Sequence, residues 1–296
     1  FLPAIRSELT NRETRRAAEN VLFEWGADAM EMLLTSLEDR ELDAEVRRQL
    51  PRAIAQFPAY LVVRRLAANL NDETDGMVRY RTIAQLDHLQ RRDGPLGIRK
   101  ELREVTRDLL VQVLELADWR ATLQRFAREQ PEEVTWTHQI LERLISDKED
   151  NATDLIVRVL VLLYPGEEME PIARGLRSKD ESLRSSALEL LEHLLPADLR
   201  EPILAILADR SPLVRLQAAE PWYSPRTLSH SELLRLLIEG RSFMLRSLAT
   251  RLAGEMRLTE LRECLEHPED PSPDYDLVVA RALESLNADE LASSSL

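Results

Sequence analysis

The sequence predicts an all-α chain, an α-α superhelix of stacked helix pairs with an irregular long-helix segment in the middle. Three observations predict it. Apolar residues recur at helical spacing, the punctuation between them is helix-cap and helix-stop chemistry, and one short pattern returns at a nearly fixed interval. Asp180 to Leu195, DESLRSSALELLEHLL, shows the pattern best. Asp180 is placed to accept from the open amides of a first turn, and Glu181 adds negative charge where the helix dipole favours it. Leu183, Ala187, Leu190, Leu191 and Leu194 follow on one face, and Pro196 closes the element. A shift of 31 residues lays Pro171, Ile172, Leu176, Leu183, Arg184 and Ala187 on Pro202, Ile203, Leu207, Val214, Arg215 and Ala218.

From the start of the chain, residues 1–9 read as the second helix of a pair whose first helix is missing, which leads to the expectation of a piece of a longer protein. Asn11 to Gly26 follows, with Thr14, Ala17, Ala18, Val21, Leu22 and Trp25 on one side and Gly26 as a helix stop. Asp28 to Leu37 is its return helix. Asp43 to Phe57 is stopped by Pro58, Leu61 to Leu70 returns, and Asp75 to Leu89 opens the next pair. Gly94, Pro95 and Gly97 then make a turn. Ile98 to Gln130 reads as one long helix broken at Pro131, and Val134 to Ser146 and Asn151 to Tyr164 as two further helices. Pro165 and Gly166 restart the regular pattern. A Pro-rich acidic loop, HPEDPSPD, precedes a last helix, Tyr275 to Leu286.

The repeated unit is a small polar residue, then an aliphatic or Thr three positions on, then Arg. It occurs as Asn11/Thr14/Arg15, Asp43/Val46/Arg47, Asp75/Val78/Arg79, Asp180/Leu183/Arg184, Ser211/Val214/Arg215 and Ser242/Leu245/Arg246, while Asp274/Leu277 carries Val278 in the Arg column. The intervals along that column are 32, 32, 105, 31, 31 and 32, and the single long one is about three repeats. These residues resemble HEAT repeats, paired helices stacked as a solenoid, and their short spacing is similar to the phycobilisome-lyase-like subgroup. The resemblance covers roughly residues 10–90 and 167–286. It implies that the Asp and Arg columns, Asp43, Arg47, Asp75, Arg79, Asp180, Arg184, Arg215 and Arg246, bond from one repeat to the next. That agrees with physical expectation, because one short helix pair cannot bury its apolar face alone. LLYP (Leu162 to Pro165), GLRS (Gly175 to Ser178) and ALELLEHLLP (Ala187 to Pro196) are also similar to the HEAT segments attached to bacterial nucleotide-transporter-like membrane proteins. The expected organisation is N-terminal repeats over 1–93, an irregular long-helix segment of the same solenoid over 94–166, C-terminal repeats over 167–290, and a frayed tail or linker over 291–296.

Composition narrows the function. With 44% hydrophobic and 5% aromatic residues and 8 glycines, the chain suits a helix-rich protein. Its 39 basic and 53 acidic residues give a formal net charge of −14, which disfavours phosphate backbones and so nucleic acid. The acidity lies late, since residues 1–110 hold 18 basic and 19 acidic residues. Only Lys100, Lys148 and Lys179 are lysine, so nearly every cation carries the planar fork suited to bidentate carboxylate pairing. The one cysteine, Cys264, argues for no oxidising compartment, and a cytoplasmic location is expected, at the cytoplasmic face of a membrane if the parent chain is membrane-attached. The most apolar run, Leu155 to Tyr164, would reach roughly 15 Å as a helix, about half a bilayer, so this segment is not expected to insert.

Chemistry is sparse. His88, His138, His193, His230 and His267 are dispersed, and Cys264 with His267 makes only half of a structural zinc site. No nucleophile, base and orienting group are grouped, and no phosphate loop or nucleophile elbow is present. No cofactor or metal is expected. EPWYSPR, Glu220 to Arg226, breaks a repeat where helix should continue and sets Trp222 and Tyr223 between prolines. Such aromatics suit a binding hot spot, or Trp222 folds back to fill the gap. Trp119 and Trp136 fall on helical patterns and are expected in the core or in packing between repeats. Arg16, Arg48 and Arg65 suit an acidic partner, against the alternative of a self-neutralised surface. The leading expectation is a non-enzymatic protein-interaction or regulatory scaffold with an unidentified protein partner. The alternative is a small-ligand or lyase-like module, marked by a pocket joining His138 or His88 to several carboxylates.

Overall fold

The computed structural model describes residues 1–166, 169–208, 211–219, 222–268 and 272–293, with the side chains of 288–293 left aside. Among the described residues the chain is all-α and has no strand. The helices are α1 (Leu2–Ser7), α2 (Arg15–Glu24), α3 (Ala27–Glu38), α4 (Ala44–Arg47), α5 (Leu50–Ile54), α6 (Ala59–Asp72), α7 (Gly76–Asp93), α8 (Arg99–Glu129), α9 (Trp136–Leu163), α10 (Met169–Leu176), α11 (Glu181–Leu194), α12 (Ala197–Leu207), α13 (Pro212–Ala218), α14 (His230–Ile238), α15 (Phe243–Glu255), α16 (Arg262–Glu266) and α17 (Pro273–Ser293). The chain groups into two units, each discontinuous in sequence: Phe1–Leu110 with Thr153–Leu195, and Val111–Ala152 with Pro196–Leu296.

In the first unit, α2 packs on α3, α3 on α5 and α6, α5 and α6 on α7, and α10 on α11. The buried side chains are the aliphatic positions of these helices, among them Leu22, Leu33, Leu37, Leu50, Ile54, Leu66, Ile83 and Leu86. In the second unit, α12 packs on α13, α14 on α15, and α15 and α16 on α17. Its core joins Leu116, Leu123, Leu141 and Ile145 to Leu233, Leu237, Leu252 and the fully buried Tyr275. Two glycines permit close approach: a Cβ at Gly175 would lie 2.7 Å from Ala187 Cβ, and one at Gly254 would lie 2.8 Å from Ala282 Cα.

Several elements depart from the sequence expectation, each for a local reason. The predicted helix from Asp43 to Phe57 is two short ones, because Pro51 has no amide to donate and its ring crowds the carbonyl four residues back; it instead sits in the first turn of α5. The two helices expected after Val134 are one helix of 28 residues, α9, since the charged stretch Asp147 to Asp150 carries no turn residue and stays helical. On α11, Ala187 and Leu191 are buried, but Leu183 and Leu190 are more than half exposed. Trp136 is also exposed rather than in the core, while Trp119 packs against the second unit's core. The last helix runs on to Ser293, so Leu291 to Ser293 of the expected tail are helical, and 294–296 lie outside the described residues. Glu167 at the expected boundary, Glu220 and Pro221 of EPWYSPR, and residues 269–271 of the acidic loop also lie outside them. No described helix is long and apolar enough to cross a membrane.

Candidate functional site

The Asp column works first as a set of helix caps. Asp43 accepts from the Glu45 amide at 2.6 Å, Asp75 from Met77 and Val78 at 2.9 Å each, and Asp180 from Ser182 at 2.9 Å and Leu183 at 3.4 Å. Across repeats, the bond expected of Arg47 to Asp75 is carried by Arg48, whose Nη2 lies 2.8 Å from Asp75 Oδ2. Arg47 pairs instead with the buried Glu73, which also takes Arg40 at 2.7 Å and the Asp75 amide at 2.8 Å. Asp75 Oδ1 is committed to capping, so the second arginine finds its carboxylate two residues earlier. Burial pushes the Asp75 carboxyl up, but the Arg48 fork and the capping amides outweigh it and leave the group below its ordinary range.

The other Arg positions diverge. Arg79 donates to the Leu70 carbonyl at 3.2 Å. Arg215 pairs with Glu149, and Arg246, nearly buried, lies with its guanidinium 4.0 Å over the Tyr275 ring. Tyr275 in turn shares a hydrogen bond of 2.7 Å with Thr250. Arg184 on α11 follows the Asp180 cap and is engaged within the protein.

The residues expected to meet a partner are largely spoken for. Arg65 is clamped by Glu31 and Glu38, each at 2.7 Å, and Arg48 by Asp75 and Glu45. Tyr223 donates to Asp118 at 3.1 Å, and the Arg226 amide reaches the same carboxylate oxygen at 2.9 Å. Burial and the Asp118 charge together raise the Tyr223 hydroxyl's pKa. Tyr223, rather than Trp222, fastens the loop, and Trp222 stays 44% exposed. Asp118 itself is nearly buried on α8 and is not marked in the sequence by any motif.

His138 is sealed away from carboxylate clusters. It is 1% exposed and lies in a stack with Phe126 and His230, the Phe126 and His230 ring centres 3.9 Å apart. Both ring nitrogens of His138 and Nε2 of His230 are buried without a well-formed hydrogen bond among the described residues. Burial pushes the His138 imidazole below its ordinary pKa against the pull of Glu142 and the Leu123 carbonyl, and burial beside His138 brings His230 down to about 4. Cys264 donates to the Leu261 carbonyl at 2.9 Å, and burial pushes its thiol up. Among the described residues no three His, Cys, Asp or Glu are grouped to hold a metal ion.

The surface with the chemistry of a contact site lies in the first unit, and none of Arg48, Arg65, Trp222 and Tyr223 lines it. Phe23, Pro58, Tyr60, Val63, Pro95 and Leu96 line a groove of about 570 Å³. Gly94, with φ +85°, ends α7 and throws Pro95 to the groove's edge. Tyr60, in the first turn of α6 after Pro58, is 82% exposed, and Phe23 is half-exposed with its ring 5.5 Å from that of Phe57. Arg92, also lining the groove, is held by Asp93 at 2.7 Å and by the carbonyls of Ala55 and Phe57 at 2.9 and 3.1 Å. The available signals were the pairing of FPAY with GPLG, two proline-bearing turns, but nothing in one dimension says that they meet. Comparison with protein-family models, curated proteins and solved structures finds no match to this chain.

Proposed function

We propose that this chain is a non-enzymatic protein-interaction scaffold of HEAT-like construction, with the Phe23–Tyr60–Pro95 groove as its contact surface. The observation that carries the reading is Tyr60: a large aromatic left 82% exposed beside Phe23 and two prolines. Aromatic side chains on rigid backbone lose little entropy on binding and recur as interface hot spots. Because Arg92 and Asp93 neutralise each other at its rim, the groove suits an extended, apolar segment of a partner protein, one carrying aliphatic or proline side chains. The HEAT-like part of the proposal is supported by helices joined through short turns and packed in sequence, α2 on α3 and α6 on α7, with α3 on α6 beside them. A cytoplasmic location, and attachment to a membrane transport-like parent, belong to the same proposal and lean on the LLYP, GLRS and ALELLEHLLP segments. The net charge of −14 speaks against nucleic acid as the partner.

The test is a partner purified on the wild-type chain and then titrated directly. Tyr60→Ser should weaken binding by about 2 kcal/mol, roughly 30-fold, while Trp136→Ser leaves it unchanged. Equal affinity for wild type and Tyr60→Ser would move the contact surface elsewhere.

A further inference from the structure

A second groove in the first unit is of opposite character, and it stands independently of the reading above. Arg91 on α7, Arg158 on α9, and Arg174 and Arg177 at the end of α10 line a cleft of about 250 Å³, with Ile83, Ala84, Val161 and Ala173 as its apolar part. The carboxylates at this cleft are already engaged. Asp154 takes Arg158 Nε on one oxygen at 2.6 Å and Arg177 Nε on the other at 2.7 Å, while Arg91 bridges Asp87 at 3.1 Å and Glu170 at 2.8 Å. Among the described residues four arginines thus face three carboxylates, one cation in excess, in a chain whose formal net charge is −14.

The donors left over matter more than the sum. Arg158 and Arg177 use only Nε on Asp154, so the terminal nitrogens of both forks make no further hydrogen bond among the described residues. The Arg158 guanidinium also rests 4.7 Å over the Tyr80 ring, which holds its plane. Arg174, between them in sequence and exposed, makes no ion pair or hydrogen bond among the described residues. A carboxylate that clamps two guanidinium groups by their inner nitrogens presents the outer ones, and outer forks match tetrahedral oxyanions with two N–H groups each.

We propose that this cleft binds a small organic phosphate monoester, its phosphoryl oxygens on Arg158, Arg174 and Arg177 and its carbon portion against Val161 and Ala173. The volume is below the usual range for drug-sized ligands, which fits a compact metabolite. A phosphate monoester offers three terminal oxygens to the unused forks of Arg158, Arg174 and Arg177 and negative charge where cations are in excess, whereas a monocarboxylate offers only two oxygens.

The test is calorimetric titration of the full chain with glycerol 3-phosphate, inorganic phosphate and succinate at low and moderate salt. Saturable binding of glycerol 3-phosphate is expected, at least tenfold tighter than succinate and tighter than inorganic phosphate. Arg174→Gln, which breaks no internal bond, should lose tenfold or more in affinity with an unchanged melting midpoint, and Arg128→Gln, an exposed arginine of α8, should bind as wild type. Three results overturn the proposal: no saturable binding of glycerol 3-phosphate, succinate binding as tightly, or Arg174→Gln binding as the wild type does.

Discussion

Two carboxylates five residues apart on α9 are each held by two arginines, and they lead opposite lives. Glu149, of the second unit, has a fully buried side chain: Arg120 reaches one oxygen at 2.7 Å and Arg215 the other, both through terminal nitrogens. Asp154, of the first unit, is about one third exposed and is gripped through the inner nitrogens of Arg158 and Arg177. Burial pushes the Glu149 carboxyl above its ordinary range although both arginines oppose it. At Asp154 burial pushes the same way, but the bonds from Arg158 and Arg177 outweigh it and leave the carboxyl low. The comparison separates structure from availability. A buried pair must use its donors on itself, since a buried charge left unpaired is strongly destabilising, whereas a half-open pair keeps its outer donors for a visitor.

The largest effect should come from breaking the buried member. Glu149→Ala leaves Arg120 and Arg215, both mostly buried, without their shared counter-charge, and should cost about 3–5 kcal/mol in urea unfolding. A loss under about 1 kcal/mol would mean water reaches that site. Next comes the His138–Phe126–His230 stack of the same unit, buried polarity in which burial outweighs the pull of Glu142 on His138. Its folded-state pKa values are depressed, so the unfolded chain binds protons first as the solution is acidified. Stability from this source is full above about pH 6.5 and falls as pH drops toward about 4, by on the order of 3 kcal/mol for His230. His230→Phe should flatten that part of the urea-midpoint profile between pH 7 and 4; an unchanged slope would place the acid sensitivity elsewhere. The smallest effect should come from the open pair: Arg177→Ala removes an ion pair with 40% of the arginine side chain exposed, and should shift stability by less than about 1 kcal/mol in the same melts. A loss as large as that of Glu149→Ala would erase the distinction.

What the sequence made legible follows from how far each feature reaches. Most of the helices and the Asp180 cap are readable, because a cap needs one side chain and the amides two and three positions ahead. Pro51 is equally local, but the repeat pattern continues across it and hides the break. The partner of Arg47 was not readable: Glu73 lies 26 residues on and off the Asp column, and only the occupied Asp75 explains the choice. Glu149 sits in the run DKED, which in one dimension has the look of solvated charge. Tyr60 and Pro95 come from separate turns, so their groove exists only in three dimensions. Conversely, Leu183 and Leu190 keep the spacing of a buried face and are nonetheless exposed, since periodicity says which residues share a side and not what covers it.

The interleaving of the two units carries a consequence for biosynthesis. Because Val111–Ala152 is made before Thr153–Leu195, the ribosome delivers part of the second unit while the first is still incomplete, and that part has no finished core to join until Pro196 and beyond emerge. No single cut of the polypeptide separates the two units, since a cut after Leu195 leaves the first complete but still carrying Val111–Ala152 of the second. Fragments ending at Leu110 or at Leu195 should therefore expose apolar helix faces and aggregate where the undivided chain does not.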